Sequence, residues 1–351
     1  MNLVGLDQGE LMELAVSLGE KPFRGKQIYQ QIYARKLLDV QQMTDLPVSL
    51  RERLGADYAL EIPQVEQRRA SSDGTVKFLF RLQDGQFIET VYIPEKRRDT
   101  LCISSQVGCG VGCTFCLTAQ MGFRRNLTPG EIVGQVLHCM REGLVPASGF
   151  NIVFMGMGEP LYNYKNVMKA FRILTDQQGM DLSHRKITLS TSGVVPVLRK
   201  MNDEPQLPNL AISLNATTDQ VRSRVMPINR KWPIAALLQA CRAFPLEARR
   251  RITFEYLLLA GETDSDQDAH RLAQLLEGIP CKVNLIPYNP NPGLPHQRPS
   301  DGRVERFREI LVGTHNLSAF VRRTRGDDIS AACGQLAHMT ENGNSGLTTD
   351  N

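Results

Sequence analysis

The sequence predicts an α/β protein: an open, six-stranded parallel (β/α) barrel with a small N-terminal helical domain and a β-hairpin extension. Two observations predict the barrel. Apolar segments typical of strands alternate with helical segments from residue 99 onward, and small or polar residues follow the strands at their carboxyl ends. We expect the functional site at those ends, where parallel sheets bind ligands. The six predicted strands are 101–104, 152–155, 187–190, 210–214, 252–259 and 283–286.

The residues before the barrel form two further predicted units. Residues 1–62 are expected to be an accessory helical domain, whose first helix begins at a capping box of Asp7 and Glu10. A second helix follows Pro22, with Phe23, Ile28 and Ile32 as candidate core residues. Basic side chains occur throughout this domain, which could contact nucleic acid or could have only a packing role.

A β-hairpin extension is predicted over residues 63–98, because hydrophobic residues alternate there and Asp84-Gly85 is a tight-turn signal. Glu89 lies on its second strand and shares a face with apolar neighbours. One interpretation is an exposed edge strand. The other is a desolvated carboxylate with a raised pKa, suited to proton transfer.

Composition limits the classes of protein that the chain can belong to. It has 351 residues, of which 42% are hydrophobic, so wholesale disorder is excluded. It shows neither an apolar run of the ~20 residues that cross a bilayer nor a secretory signal, and we expect a cytosolic protein without a membrane partner. The net charge of +4 says little by itself, although paired arginines recur along the chain.

The eight cysteines are too few for a disulfide scaffold in a chain of this length. Cys139, Cys241 and Cys281 are isolated within helix- or strand-like segments and are expected to be buried apolar residues.

The strongest chemical signal is the loop after the first barrel strand, where Cys109, Cys113 and Cys116 are spaced C-x₃-C-x₂-C. Three thiolates can hold three irons of a [4Fe–4S] cubane and leave the fourth iron open to S-adenosylmethionine (SAM). A structural zinc site would need a fourth ligand, and no second ligand pair follows. A thioredoxin-like interpretation of Cys113 and Cys116 leaves Cys109 without a role.

Several segments, in order, resemble the RlmN/Cfr family of radical SAM RNA methyltransferases. The match covers roughly residues 20–337, and SSQVGC and TAQMGF are closer to the RlmN branch. The segments are EKPFRGKQIYQQIY, LCISSQVGCGVGCTFCLTAQMGFRRNLTPGEIVGQV, GMGEP, ITLSTSGVVP, NLIPYNP and TRGDDISAACGQLA. The resemblance implies a radical SAM barrel over 99–320 and a C-terminal loop over 321–337 that carries a catalytic cysteine. The last residues, 338–351, are expected to be a disordered tail.

The resemblance also implies roles for individual residues. Glu89 matches the family's proton acceptor, Cys333 the cysteine that is itself methylated, and Cys102 its redox partner. Gly158 and Glu159 match residues that hold the amino group of SAM. The rest of the SAM pocket is implied to consist of Ser190, Ser213, Leu214, Asn215 and Asn289.

The reaction implied by this resemblance is methylation of carbon 2 of adenosine in 23S ribosomal RNA and transfer RNA. Carbon 2 carries no nucleophilic lone pair, so two SAM molecules are needed: one methylates Cys333, and the other yields the radical that activates that methyl group. Cys102 then resolves the protein–RNA link as a transient disulfide.

Three alternatives stay open: Cfr-type methylation at carbon 8 of adenosine, a non-catalytic iron–sulfur module that binds RNA, and an activase that acts on protein. We expect a monomer that receives electrons from a flavodoxin-like protein.

Overall fold

The structure is a computed structural model that describes residues 1–95, 98–146, 149–291 and 293–336. The expected disordered tail, 338–351, lies outside these residues, as does residue 337 at the end of the expected C-terminal loop.

One large sheet organises the described part of the chain. Its ten strands lie in the order β1-β2-β3-β4-β7-β8-β9-β10-β11-β12, and β5 and β6 form a separate two-stranded ribbon. The strands are β1 (Gln64–Ala70), β2 (Val76–Arg81), β3 (Phe87–Ile93), β4 (Thr100–Cys102), β5 (Gln106–Gly108), β6 (Phe123–Asn126), β7 (Asn151–Phe154), β8 (Ile187–Thr191), β9 (Asn209–Ser213), β10 (Ile252–Leu258), β11 (Cys281–Pro287) and β12 (Ala319–Val321).

All six predicted barrel strands are present, as β4 and β7 to β11, and neighbours among them pair in parallel. The sequence did not predict β12, which adds a seventh parallel strand beside β11. This strand has three residues, and Phe320 at its centre is 57% exposed. So short an edge strand carries no apolar alternation that could reveal it.

The predicted hairpin is present as β2 and β3, joined through Asp84 and Gly85, with Gly85 at a positive φ of 78°. A third antiparallel strand, β1, was not predicted, because its seven residues are all exposed and mostly polar. On the other side, β3 pairs with the first barrel strand, β4. The hairpin is therefore part of the barrel sheet, and β3 is an internal strand.

Eleven α-helices accompany the sheet in the described residues. The predicted capping box at Asp7 is formed, and a second capping box is formed at Thr128. None of the described helices combines the length and apolar character that a bilayer crossing requires. They are α1 (Gln8–Ser17), α2 (Pro22–Tyr33), α3 (Val48–Asp57), α4 (Leu117–Gln120), α5 (Pro129–Arg141), α6 (Tyr164–Thr175), α7 (Val195–Lys200), α8 (Asp219–Val225), α9 (Ile234–Arg242), α10 (Asp266–Leu276) and α11 (Asp301–Glu309).

The N-terminal helices share one continuous core with the barrel. Ile28 and Ile32 are fully buried as predicted, but Phe23 is 46% exposed, and its assignment to the core was wrong. Gly5 lies against the first turn of α5 so closely that a Cβ on it would stand 2.3 Å from the Gly130 nitrogen. Only glycine permits this approach.

Tyr33 fastens the N-terminal segment, because its buried hydroxyl accepts a hydrogen bond from Gly5 N (2.7 Å) and donates one to Leu6 O (2.9 Å). We expect Tyr33→Phe to destabilise the protein by about 1–3 kcal/mol, since two buried backbone groups lose their partner. Urea unfolding measures this. Tyr162→Phe, at a tyrosine that is 37% exposed, is the control and should change stability by less than about 0.5 kcal/mol. An equal effect of the two variants would contradict the assigned role of Tyr33.

Candidate active site at the carboxyl ends of the strands

Two neighbouring cavities open at the carboxyl ends of the barrel strands. The first, of about 170 Å³, lies between the cysteine loop (residues 109–116) and the ends of β7 to β10. The second, of about 360 Å³, lies between β4, β11 and β12. Both are bordered by the Cys333 loop (residues 326–336).

The three motif cysteines, Cys109, Cys113 and Cys116, all line the first cavity. Burial raises the pKa of each thiol, that of Cys109 to about 12, and each is raised further by neighbouring cysteines. In the described residues, no group of three or more His, Cys, Asp or Glu side chains is arranged to hold one metal ion. A cubane takes each thiolate on a different iron, so three cysteines around one cavity are suited to hold a [4Fe–4S] cluster.

Close backbone contacts shape the cysteine loop. Cys109 N donates to Gly122 O (3.0 Å), and Thr114 N donates to Val225 O (3.0 Å). Gly112 has a φ of 77°, in the left-handed region that favours glycine, whereas Gly110 has no positive φ.

Glu159, predicted to hold the amino group of SAM, is buried and already saturated by the protein. Its carboxylate accepts hydrogen bonds from Leu161 N, Thr191 Oγ1, Ser192 N and Ser192 Oγ at 2.6–3.0 Å. Burial raises its pKa, and these hydrogen bonds oppose the rise. Both oxygens thus fix the end of β8. Gly158, at a φ of 100°, lies so near Gln106 that a Cβ would meet it at 2.5 Å.

The other predicted SAM residues do not all lie together. Ser190, Ser213 and Asn215 line the first cavity with Gly158 and Glu159. Leu214 is fully buried and lines neither cavity. Asn289 lines the second cavity, where its Oδ1 accepts from Thr324 Oγ1 at 3.0 Å.

A buried arginine supports the ends of β8 and β9. Arg222 has no exposed surface and donates to the carbonyl oxygens of Ser192, Ser213 and Leu214 at 2.7–3.0 Å. Burial lowers its pKa to about 10, and Cys113 is the first of the neighbours that oppose this shift. The arginine therefore ties the backbone of the predicted SAM pocket to the vicinity of the cysteine loop. No sequence signal singled it out.

Sequence reasoning also missed Glu255, a buried acid on β10 that faces the first cavity. Ser190 Oγ donates to its Oε2 at 3.3 Å, and Arg322 Nη1 lies 3.7 Å from its Oε1. Burial raises the pKa of Glu255, whereas Arg322 and Ser190 oppose the rise. A lone acid within the apolar run ITFEYLL was the available signal.

Cys333 borders both cavities, and Cys102 borders the second. All eight cysteines are free thiols in the structure. Burial raises the pKa of Cys102 to about 12, nearby Cys333 adds to this, and Arg322 opposes it. The predicted pair is thus brought together at the barrel mouth, with Arg322 beside it.

The Cys333 loop also contacts the cysteine loop and its flank. Leu117 N donates to Gly334 O at 2.9 Å, and Asn291 Nδ2 donates to the same oxygen at 3.3 Å. Gly334 has a φ of 82°, and a Cβ there would stand 3.4 Å from Phe115 O. Cys333 is thereby held against residues that border the first cavity.

Glu89 is 4% exposed on the internal strand β3, so the edge-strand interpretation was wrong. Its Oε1 lies 3.0 Å from Lys77 Nζ on β2. Because Val91 pairs with Cys102, Glu89 lies on the same face of the sheet as Cys102. It is not among the residues that line either cavity.

Comparisons with known proteins agree with this arrangement. The model of the Radical SAM superfamily matches residues 103–273, and that of the ribosomal RNA large subunit methyltransferase N-terminal domain matches residues 1–60. A crystal structure of a radical SAM methyltransferase from Sphaerobacter thermophilus superposes with a TM-score of 0.90 at 46% identity, covering 96% of this chain and 99% of that one.

Two curated relatives are similar over nearly their whole length. The dual-specificity RNA methyltransferase RlmN of Anaeromyxobacter dehalogenans is 52% identical, covering 96% of this chain and 91% of its own. The protein of the same name from Desulfotalea psychrophila is 49% identical, covering 96% and 95%. On this evidence the chain belongs to the RlmN family of radical SAM RNA methyltransferases.

Proposed function

We propose that this enzyme methylates carbon 2 of adenosine in ribosomal RNA and transfer RNA, and that the methyl group passes through Cys333. RlmN enzymes carry out this reaction on both kinds of RNA. The observation that carries the proposal is the position of Cys333, which borders the cavity with the three motif cysteines and also the cavity with Cys102. A residue shared by both cavities can receive a methyl group on one side and deliver it on the other.

The first cavity fits the cofactors of the family, a [4Fe–4S] cluster and SAM, of which RlmN enzymes use two molecules per cycle. Cys109, Cys113 and Cys116 would hold the cluster, which supplies the electron for reductive cleavage of SAM when bound. The Oε1 atom of Glu255 is buried at this cavity and accepts no hydrogen bond from the described residues. It is suited to accept one from a ligand with hydroxyl or amino groups.

For the ligand amino group, we propose backbone contacts at Gly158 and Glu159, because the Glu159 carboxylate is saturated by the protein. Ser190, Ser213 and Asn215 would line the remainder of the SAM pocket. Leu214 would only shape the end of β9, since it is fully buried and its backbone N–H and carbonyl are both hydrogen-bonded within the protein. Asn289 would act from the second cavity.

In the second cavity, the residues would handle the RNA base and the protein–RNA link. Arg322 lies close to Cys102, and its charge opposes the rise that burial causes in the pKa of that thiol. Once the methyl carbon of Cys333 has bonded to the base, Cys102 would attack the Cys333 sulfur and release the product. Glu89 does not line this cavity, but it lies on the same face of the sheet as Cys102 with its carboxylate beside the Lys77 ammonium group, and it would accept the proton that the base loses.

RNA phosphates would meet the basic rim of this cavity, formed by Arg322, Arg323 and Arg325. The N-terminal domain, residues 1–62, is proposed to extend this contact surface, since the family model over residues 1–60 is specific to ribosomal RNA methyltransferases. A flavodoxin-like electron donor, a monomeric state and a cytosolic location stay predictions from the sequence.

Carbon 8 of adenosine is the alternative target. Mass analysis of nucleosides in RNA from cells with and without this protein distinguishes the positions, because 2-methyladenosine and 8-methyladenosine separate chromatographically. We expect 2-methyladenosine to disappear from ribosomal and transfer RNA when the gene is deleted. Loss of 8-methyladenosine instead, or no change in either nucleoside, would contradict the proposal and favour the Cfr-type or the non-catalytic alternative.

The cluster assignment predicts that Cys109→Ala, Cys113→Ala or Cys116→Ala abolishes the iron–sulfur absorbance and SAM cleavage, because each thiolate holds a different iron. Iron analysis and detection of 5′-deoxyadenosine measure the two losses. Cys241→Ala, at a buried cysteine of α9, is the control and should keep both properties. Stoichiometric iron with SAM cleavage in the triple alanine variant would refute the assignment.

Alanine variants of Cys333 and Cys102 should block the reaction at different steps. Cys333→Ala cannot accept a methyl group, so we expect neither methylated RNA nor a protein–RNA species. Cys102→Ala can accept and transfer the group but cannot resolve the link, so a covalent protein–RNA adduct should accumulate. Intact mass spectrometry after turnover decides between these outcomes, with Cys281→Ala as the control. Identical products from both variants would end the methyl-cysteine hypothesis.

A further inference from the structure

Lys77 is a buried lysine on β2 that contacts two separate parts of the site. Its side chain is 9% exposed. Its Nζ lies 3.0 Å from Glu89 Oε1 and donates to the backbone carbonyl of Ser330 at 3.0 Å. A buried ammonium group is costly unless it is paired and hydrogen-bonded. The carboxylate and the carbonyl oxygen meet this requirement together.

The carbonyl belongs to the Cys333 loop, which docks on the turn between β1 and β2. Asp328 accepts hydrogen bonds from Ser71 Oγ (2.5 Å) and Ser72 N (3.1 Å), and Asp73 accepts one from Gly326 N (3.1 Å). A Cβ on Gly326 would stand 2.9 Å from a Thr75 side-chain atom. These hydrogen bonds and the close contact at Gly326 therefore hold the start of the loop against the turn.

Ser330 lies at the point where the loop turns toward Cys333. It has a φ of 52°, in the left-handed region that residues other than glycine rarely adopt. Such a conformation persists only where surrounding contacts hold it. The hydrogen bond from Lys77 to the Ser330 carbonyl is one such contact, and the 2.8 Å bond from Ala331 N to Gly326 O is another.

We propose that Lys77 is a positioning residue that couples Glu89 to the Cys333 loop. One ammonium group binds the carboxylate and the loop backbone at the same time, so the proton acceptor is oriented while the loop that carries the methyl group is docked. Lysine suits this task because it is a compact point charge with three donors. The inference rests on the proposed function for its role in the reaction, whereas the physical coupling does not depend on it.

The coupling can be measured without turnover, by hydrogen exchange of the anaerobically reconstituted enzyme. Lys77→Met removes both contacts, and Glu89→Gln removes the charge that holds the ammonium group in place. We expect both variants to speed amide exchange in residues 326–336, and Lys77→Arg, which keeps the charge, to restore protection at least in part. Arg81→Met is the matched control on β2, because it breaks an exposed ion pair with Glu66 and should leave the loop unchanged.

Two results of this experiment would overturn the proposal. If Lys77→Met leaves exchange of the loop at the wild-type rate, Lys77 does not hold it. If Lys77→Met speeds exchange but Glu89→Gln does not, Lys77 anchors the loop independently of the acid.

A single-turnover reaction tests the consequence of this coupling for catalysis. In a single turnover with SAM and an RNA fragment, Lys77→Met should still form methyl-Cys333 but release product on the order of 10–100-fold more slowly, because the proton acceptor is misplaced. The protein–RNA adduct should accumulate, as in Glu89→Gln. Release at the wild-type rate would contradict the proposal. Failure of the wild-type enzyme to make methylated RNA would instead refute the proposed function, and the exchange experiment would still decide whether Lys77 couples the two elements.

Discussion

The site depends on the docking of the Cys333 loop, which places Cys333 between two cavities but buries few side chains of its own. Ala331, Ala332 and Leu336 are its buried apolar residues. Polar contacts supply the rest: Asp328 meets the β1–β2 turn, and Gly334 meets the flank of the cysteine loop. A loop held by hydrogen bonds at both ends opens at a lower free-energy cost than a core element. This suits the role proposed for Cys333, which would contact SAM, a base and a second thiol in turn.

Two largely buried ion pairs lie close to this loop. Lys77 pairs with Glu89, and Arg322 pairs with Glu255 near Cys102 and Cys333. Replacing such pairs by apolar residues often leaves stability unchanged or improves it, so stability alone does not account for them. The first pair joins β2 to β3 and is bonded to the Cys333 loop through the Ser330 carbonyl, and the second joins β10 to the segment after β12. The antiparallel extension therefore contributes directly to the site, although it lies outside the parallel barrel.

The sequence predicted the parts of the fold that carry strong local signals. Buried strands such as β9 contain short apolar runs, and the C-x₃-C-x₂-C spacing marks the cysteine loop whatever surrounds it. The misses have physical causes. β1 is exposed along its whole length and β12 has three residues, so neither shows a hydrophobic pattern. Asn289 follows a barrel strand like the other pocket residues, but only the tertiary arrangement shows which of the two cavities it borders. Lys77 carried no signal, because its partners are distant in sequence.

In the proposed reaction the methyl group reaches RNA from Cys333 rather than from SAM directly. Enzyme carrying an unlabelled methyl group on Cys333 can be given SAM with an isotopically labelled methyl group, together with RNA, for a single turnover. We expect the first adenosine product to carry the unlabelled methyl group and the label then to appear on Cys333. A labelled methyl group in the first RNA product would contradict the proposed reaction.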